Sequence, residues 1–336
     1  MKKIWWTWDI RMHWAHGLSF SEESYCRNYE LAVDSAVRYG VEAIVVWGFL
    51  RDLHGGLRAA HRVLDYARKR GVEIFPGFGV DDYGGAYYQG DSEWSLDQFI
   101  SKHPEFQARN ADGSLHTHRW PMMDWTVRKL CCPSCEPAME YYLESMDWLL
   151  REFDLKGFQI EQGDSGLCYC EKCRENFGIG EDKSSFNLNI STRRLLPVVR
   201  HALQQKNDLT IIVETYSGME PEKVAEKATL FRSYPPEIYL SWQAYNGFDL
   251  PERRFLLNEK SVSPAKHGCI AVRSNSEAAL GESDTPEEVG RAVELARHAG
   301  LDMAYIYGEY PDFWPKTAKV YEIWSRACGE NVKTCS

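Results

Sequence analysis

The chain has 336 residues, 13% of them aromatic, and a formal net charge of −10. That length suits one large α/β barrel or two ordinary domains. The acidic balance counts against a nucleic-acid partner, whose phosphates need a basic surface, and against an anionic membrane surface.

No apolar run is long enough to span a bilayer. The opening stretch Ile4-Trp5-Trp6-Thr7-Trp8-Asp9 places an acid where an export signal keeps its apolar core, so it is expected to be a first strand of a cytoplasmic protein. The ten cysteines are then expected to be reduced thiols and metal ligands rather than disulfides.

Short apolar runs predict eight strands: Ile4–Trp8, Ala43–Trp47, Glu73–Phe78, Gly157–Glu161, Thr210–Glu214, Ile238–Trp242, Gly268–Arg273 and Met303–Tyr307. Helical patterns fall between them, at Glu30–Tyr39, Leu57–Arg70, Pro137–Glu152, Thr192–Gln205, Pro221–Ala228 and Pro286–Ala299. Three helices run through Gly40, Gly71 or Gly300 into the next strand, a helix stop feeding a parallel strand. Eight strands with helical crossovers predict a single (β/α)8 TIM barrel over residues 1–336. No glycine-rich phosphate turn follows any strand, which counts against a doubly wound sheet. Residues 79–130 form one long insertion after strand three, expected to be a lid or subsite wall.

Strand ends of such a barrel carry the active site. Read in order, they offer Asp9 and Arg11, Trp47, then Arg51 and Asp52, Asp81 and Asp82, Glu161 and Asp164, and Glu214 and Tyr216. Trp242, Gln243 and Tyr245 follow, then Arg273 and Asn275, then Glu309, Tyr310, Phe313 and Trp314. Flat rings stack on the apolar faces of sugars, and carboxylates bind hydroxyls. Two carboxyl groups across a scissile bond are the minimal apparatus of glycoside hydrolysis. Arg11 and Arg273 are candidates for an acidic group on the sugar, or for pairing with Asp9 or Glu309. The aromatic residues at the first strand, Trp5 and Trp6, are expected to pack under helices. The histidines show no metal-site spacing, so no catalytic cofactor is expected.

The fourth strand end runs into Leu167-Cys168-Tyr169-Cys170-Glu171-Lys172-Cys173, with Cys131, Cys132 and Cys135 upstream. Three close thiols and one distant one are the pattern of a closed tetrahedral site, so Cys132, Cys168, Cys170 and Cys173 are expected to hold structural zinc, with Cys131 the alternative fourth ligand. Such a site would staple the loop leaving the strand.

The stretch from Gln162 to Cys173 resembles a motif of glycosidase-like barrels related to the hexosaminidase and α-glucuronidase groups. His103-Pro104-Glu105-Phe106 and the run from Leu130 to Pro137 fit the same groups. The loop is also similar to that of the zinc-bearing β-galactosidases of glycoside hydrolase family forty-two. There a glutamate acid/base ends strand four and a C-Y-C-x-x-C loop binds zinc. The pattern departs at Gln162-Gly163, where those enzymes carry Asn-Glu, and at strand seven, which offers Arg273 where they carry a nucleophile glutamate. The resemblance implies a glycoside hydrolase acting on a carbohydrate, and Arg11 and Arg273, where they bind the sugar, point to an acidic glycan. The expected general acid is Asp164, with Glu161 in reserve, and the partner carboxylate is Glu214 or Glu309. The competing readings are a non-catalytic carbohydrate-binding barrel, and a lyase or isomerase using Tyr216 or Tyr245 as base.

Overall fold

The computed structural model describes residues 1–16, 21–120, 124–163, 165–180, 187–245, 255–273, 285–309 and 315–329. Strand β1 (Lys2–Trp8) leads into α1 (Asp9–His16) and α2 (Glu22–Tyr39). β2 (Ala43–Trp47), α3 (Gly56–Arg68) and β3 (Glu73–Gly79) follow. The insertion holds α4 (Leu96–Lys102) and an antiparallel hairpin, β4 (Thr117–Trp120) with β5 (Asp124–Lys129). Beyond it come α5 (Pro137–Glu152), β6 (Gly157–Glu161), α6 (Glu171–Phe177), α7 (Leu188–Gln205), β7 (Thr210–Gly218) and α8 (Pro221–Phe231). The chain then forms β8 (Tyr239–Gln243), β9 (His267–Val272), α9 (Pro286–His298), β10 (Met303–Tyr307) and α10 (Pro315–Ala327).

Eight parallel strands close in the order β1-β10-β9-β8-β7-β6-β3-β2. This is the (β/α)8 barrel expected from the sequence, with the Cys-rich loop after its fourth strand, β6. All eight predicted strands form. Among the predicted helices, α2 starts earlier than expected because Ser21 caps it, its side chain accepting from the Ser24 N–H. Gly40 and Gly300 adopt the left-handed conformation that ends a helix, with φ of 67° and 87°. Among the described residues, no helix is long and apolar enough to cross a membrane.

Each strand is buried on two faces, and alternation divides its side chains between them. On β1, Trp5 faces outward and packs on Tyr39 of α2 and Tyr321 of α10. Ile4 and Trp8 face inward, joining Val45, Trp47, Phe75, Ile212, Tyr239 and Tyr305 in the barrel interior, with Trp6 against them. Trp6 therefore departs from the expectation that it packs under a helix. Tyr83 and Tyr88 of the insertion pack into the same interior cluster.

Candidate active site and metal centre

The upper interior of the barrel is built on Glu214. Its Oε1 accepts from the backbone N–H of Thr215 (3.1 Å) and of Tyr216 (3.0 Å), and from the Gln243 side-chain amide (3.1 Å). Its Oε2 accepts from Ser241 Oγ (2.9 Å) and the Tyr305 hydroxyl (2.8 Å). Five donors around one buried group suit a carboxylate, which can only accept. Burial first, and then the charge of Glu214, push the Tyr305 phenol well above its ordinary value, so it stays a donor.

The backbone bends to make this shell. The register between β7 and β8 shifts between Glu214 and Ser217, and Tyr216 sits in the bulge at φ 49°. A left-handed tyrosine costs about 1–3 kcal/mol and marks a place where the chain is constrained for a purpose. The bulge aims the Tyr216 hydroxyl at Glu161 Oε2, 2.9 Å away, while its N–H holds Glu214. One residue thus touches both carboxylates. The β6–β7 register pairs Gln159 with Ile212 and Ile160 with Val213, so Glu161 and Glu214 are next in line on neighbouring strands.

Rings line the opposite side. Trp6 and Trp47 both donate their indole N–H to Gln159 Oε1, at 2.7 and 2.8 Å. The ring of Tyr83 leans on Trp47 and Trp8. The Arg11 guanidinium lies 4.9 Å from the rings of Trp6 and Tyr307, and its Nε is 3.3 Å from Glu309 Oε1. Arg273 approaches Tyr307 as well, at 5.7 Å. Of the pairings open to Arg11 from sequence, that with Glu309 is made. Asp9, with no surface of its own exposed, pairs with Arg51 at 2.6 Å.

Some of the expected sugar-binding residues make contacts away from this interior. Trp242 faces outward from β8 and packs edge-on against Phe231 of α8. Tyr245 packs on Phe255 in the same outer core. Asp81 is taken by Arg194 of α7, whose Nε and Nη2 reach it at 2.9 and 2.8 Å, and by the Tyr142 hydroxyl at 3.1 Å. Replacing Arg194 by Gln leaves that buried carboxylate uncompensated. We expect a loss of about 3–5 kcal/mol of stability in urea unfolding. Asp164, Tyr310 and Trp314 lie outside the described residues.

Sequence reasoning passed over Gln159, Ser241 and Tyr305. The signal was available: polar side chains recur at every second position of β6 and β8, on the same face as Glu161 and Gln243.

Beside the mouth, the sulfurs of Cys132, Cys168, Cys170 and Cys173 all lie within 4.8 Å of one another. Cys132, not Cys131, completes this group, with its Sγ 3.6 Å from Cys170 and 3.5 Å from Cys173. A tetrahedron of sulfurs about 2.3 Å from one ion has edges near ~3.8 Å. The donor set is soft, and four ligands leave no open position. Outer groups fit as well. The Arg109 N–H donates to Cys168 Sγ (3.3 Å), and Ser134 Oγ lies 3.1 Å from Cys173 Sγ, itself bonded by Asn176. These four thiols can hold a metal ion.

No protein-family model and no curated protein sequence matches this chain. Solved structures of similar fold include carbohydrate-active enzymes. A family GH13_31 enzyme superposes with a TM-score of 0.52 at 9% identity, over 97% of this chain and 75% of its own. Alpha-L-fucosidase isoenzyme 2 from Paenibacillus thiaminolyticus gives 0.50 at 12% identity, over 97% of this chain and 48% of its own. A GH20 catalytic module of the pneumococcal exo-beta-D-N-acetylglucosaminidase StrH gives 0.50 at 8% identity, over 98% and 84%. At these identities the likeness is one of fold. The chain spans about half the length of the fucosidase, 48%.

Proposed function

We propose that the protein is a glycoside hydrolase whose working pair is Glu161 and Glu214. The observation that carries this reading is Tyr216, held in a strained bulge so that it touches both carboxylates. Glu214, with five donors around it, acts as the ionised member. Glu161 supplies the proton. The Tyr216 hydroxyl, donating to Glu161 Oε2, orients the carboxyl.

Neighbouring parallel strands are about 4.8 Å apart, which favours the close pair, about 5–5.5 Å, of a retaining enzyme. In the first step the Glu214 carboxylate bonds to the anomeric carbon as the glycosidic C–O bond breaks, and the Glu161 proton passes to the leaving oxygen. In the second, Glu161 takes a proton from water, whose oxygen attacks the anomeric carbon and releases Glu214. Glu309, paired with Arg11, serves the site as part of its wall. Trp47, Trp6 and Tyr83 supply the stacking surface, and Arg273 is the candidate for binding an acidic group on the sugar.

In the same reading the four thiols hold zinc, and its role is structural. It fixes the loop between β6 and α6, and no step at the substrate passes through it.

The test is a turnover screen with aryl glycosides and acidic oligosaccharides, comparing wild type with Glu161→Gln, Glu214→Gln and Asp164→Asn. Release by wild type that is lost in the first two variants supports the assignment. Loss in Asp164→Asn alone moves the acid to Asp164. Sugar binding without release across the panel supports a carbohydrate-binding barrel in its place. Tyr216→Phe keeps the ring and removes one hydrogen bond to the protonated Glu161, worth about 0.5–1.5 kcal/mol. We expect kcat/KM to fall about 2–10-fold, with the folding transition unchanged.

A further inference from the structure

Directly after β3 the chain does something costly. Asp81 and Tyr83 both adopt left-handed backbone, at φ 69° and 52°. An aspartate tolerates this; a tyrosine rarely does, and each such residue costs about 1–3 kcal/mol. The segment is clamped from both sides. Asp81 is held by Arg194 and Tyr142, and its carbonyl accepts from the Cys131 N–H at 2.8 Å, next to the thiol cluster. Tyr83 is held by its ring against Trp47 and Trp8.

Between the two clamps stands Asp82, only 3% exposed. Its carboxylate faces the loop that leaves β6. Oδ1 accepts from the Tyr83 N–H at 2.7 Å, and Oδ2 accepts from the Ser165 N–H at 3.3 Å. Gly163 packs so closely on it, at φ 91°, that a Cβ there would lie 2.5 Å from Asp82 Oδ2. Burial raises the Asp82 carboxyl above its ordinary value, opposed by the bonds from Ser165 and Tyr83 and by the charge of Arg128.

We infer that Asp82 is a positioning residue of the mouth: the clamped, strained end of β3 presents its carboxylate as the peg that holds Gly163 and Ser165. Gly163 stands two residues after Glu161, and Ser165 three residues before Cys168, in the loop that leaves β6. The loop is pinned by Asp82 at one end and by the thiol cluster at the other. The peg keeps the exit of β6, and with it Glu161, from shifting. A simple salt-bridge role does not account for this geometry, because the acceptor is aimed at backbone N–H groups and two neighbours are strained to aim it. The catalytic part of this inference rests on the hydrolase reading; the pinning of Gly163 and Ser165 does not.

The experiment is hydrogen exchange read by mass spectrometry on the metal-loaded protein, wild type against Asp82→Asn, with kinetics and metal content measured on the same samples. The peptide spanning residues 162–168 is expected to exchange about 10–100-fold faster in the variant, while peptides from β1 and β10 keep their wild-type protection. Metal content stays the same, and kcat falls at least about tenfold with KM within about threefold, a split that a merely structural role does not produce. Wild-type exchange at residues 162–168 overturns the inference whatever the kinetics. Faster local exchange in a protein without any turnover supports the peg and removes the hydrolase reading. Asn sets its amide N–H against one of the two backbone donors, so global loss of protection is decided by Asp82→Ser, whose hydroxyl can rotate away. The same local signature there supports the inference, and its absence overturns it.

Discussion

Glu214→Gln is expected to lower kcat/KM by at least about 10⁴-fold while sugar binding persists and the fold stands. The expectation of an intact fold follows from the kind of donors around Glu214. The Thr215 and Tyr216 N–H groups and the Gln243 amide all point at Oε1, which the glutamine carbonyl oxygen replaces without conflict. The new amide nitrogen takes the place of Oε2, where both partners are hydroxyls, Ser241 and Tyr305. Hydroxyls rotate from donor to acceptor, so the stability change stays near about 1 kcal/mol. The chemical loss has no such escape, because an amide neither attacks an anomeric carbon nor supports a positive charge there. Glu161→Gln supplies the contrast. Loss of a general acid costs about 10²–10⁴-fold. That cost shrinks for substrates whose leaving group needs no proton, whereas the Glu214→Gln defect stays the same for every leaving group. Steady-state kinetics over an aryl glycoside series reads both variants at once. Turnover of Glu214→Gln within tenfold of wild type rules out its assignment.

Much of the barrel is legible in the sequence because parallel strands buried on two faces read as short apolar runs. Ala43–Trp47, Gly157–Glu161 and Met303–Tyr307 form with the boundaries expected of them. The same property hides which face is which. With both faces apolar, the apolar residues alone do not say that Trp242 points at α8 or that Trp6 points inward. The phase lies in the polar minority: Ser241 and Gln243 share the face that reaches Glu214, which leaves Trp242 to the other side. Asp81 shows a different limit. It stands at a strand end like any binding residue, and only the fold brings Arg194, 113 residues away, to claim it. The hairpin at Thr117–Lys129 escaped notice because it lies in an insertion with few strand-forming repeats. The thiol cluster was readable because metal-ligand spacing is local for three of its four members. Its fourth, Cys132 rather than Cys131, comes from a distant part of the chain and is selected only by the fold.

Removing the metal is the second large effect we expect. Four thiols packed with sulfur contacts of 3.5 and 3.6 Å have little reason to converge unless an ion holds them. Purified protein should therefore carry close to one zinc per chain, and a chelator should remove it more readily in acid, where protons compete for the thiolates. The barrel has its own core, so the apoprotein should stay folded, unlike a small zinc domain. The lost stabilisation is set by metal concentration relative to affinity, about 2.7–4.1 kcal/mol for an ion at 100 to 1,000 times its dissociation constant. In a chain of this size that lowers the thermal midpoint by about 4–6 °C. Cys168→Ser should reproduce the shift, since it removes both a ligand and the acceptor of the Arg109 N–H. The damage should be local: the loop from β6 to α6 gains exchange, and turnover falls because the exit of Glu161 loses one of its two anchors. Absence of metal in the purified protein, or a midpoint unmoved by Cys168→Ser, removes the staple. The pinning of the mouth would then fall to Asp82 alone, and the Asp82→Asn defect should be correspondingly larger.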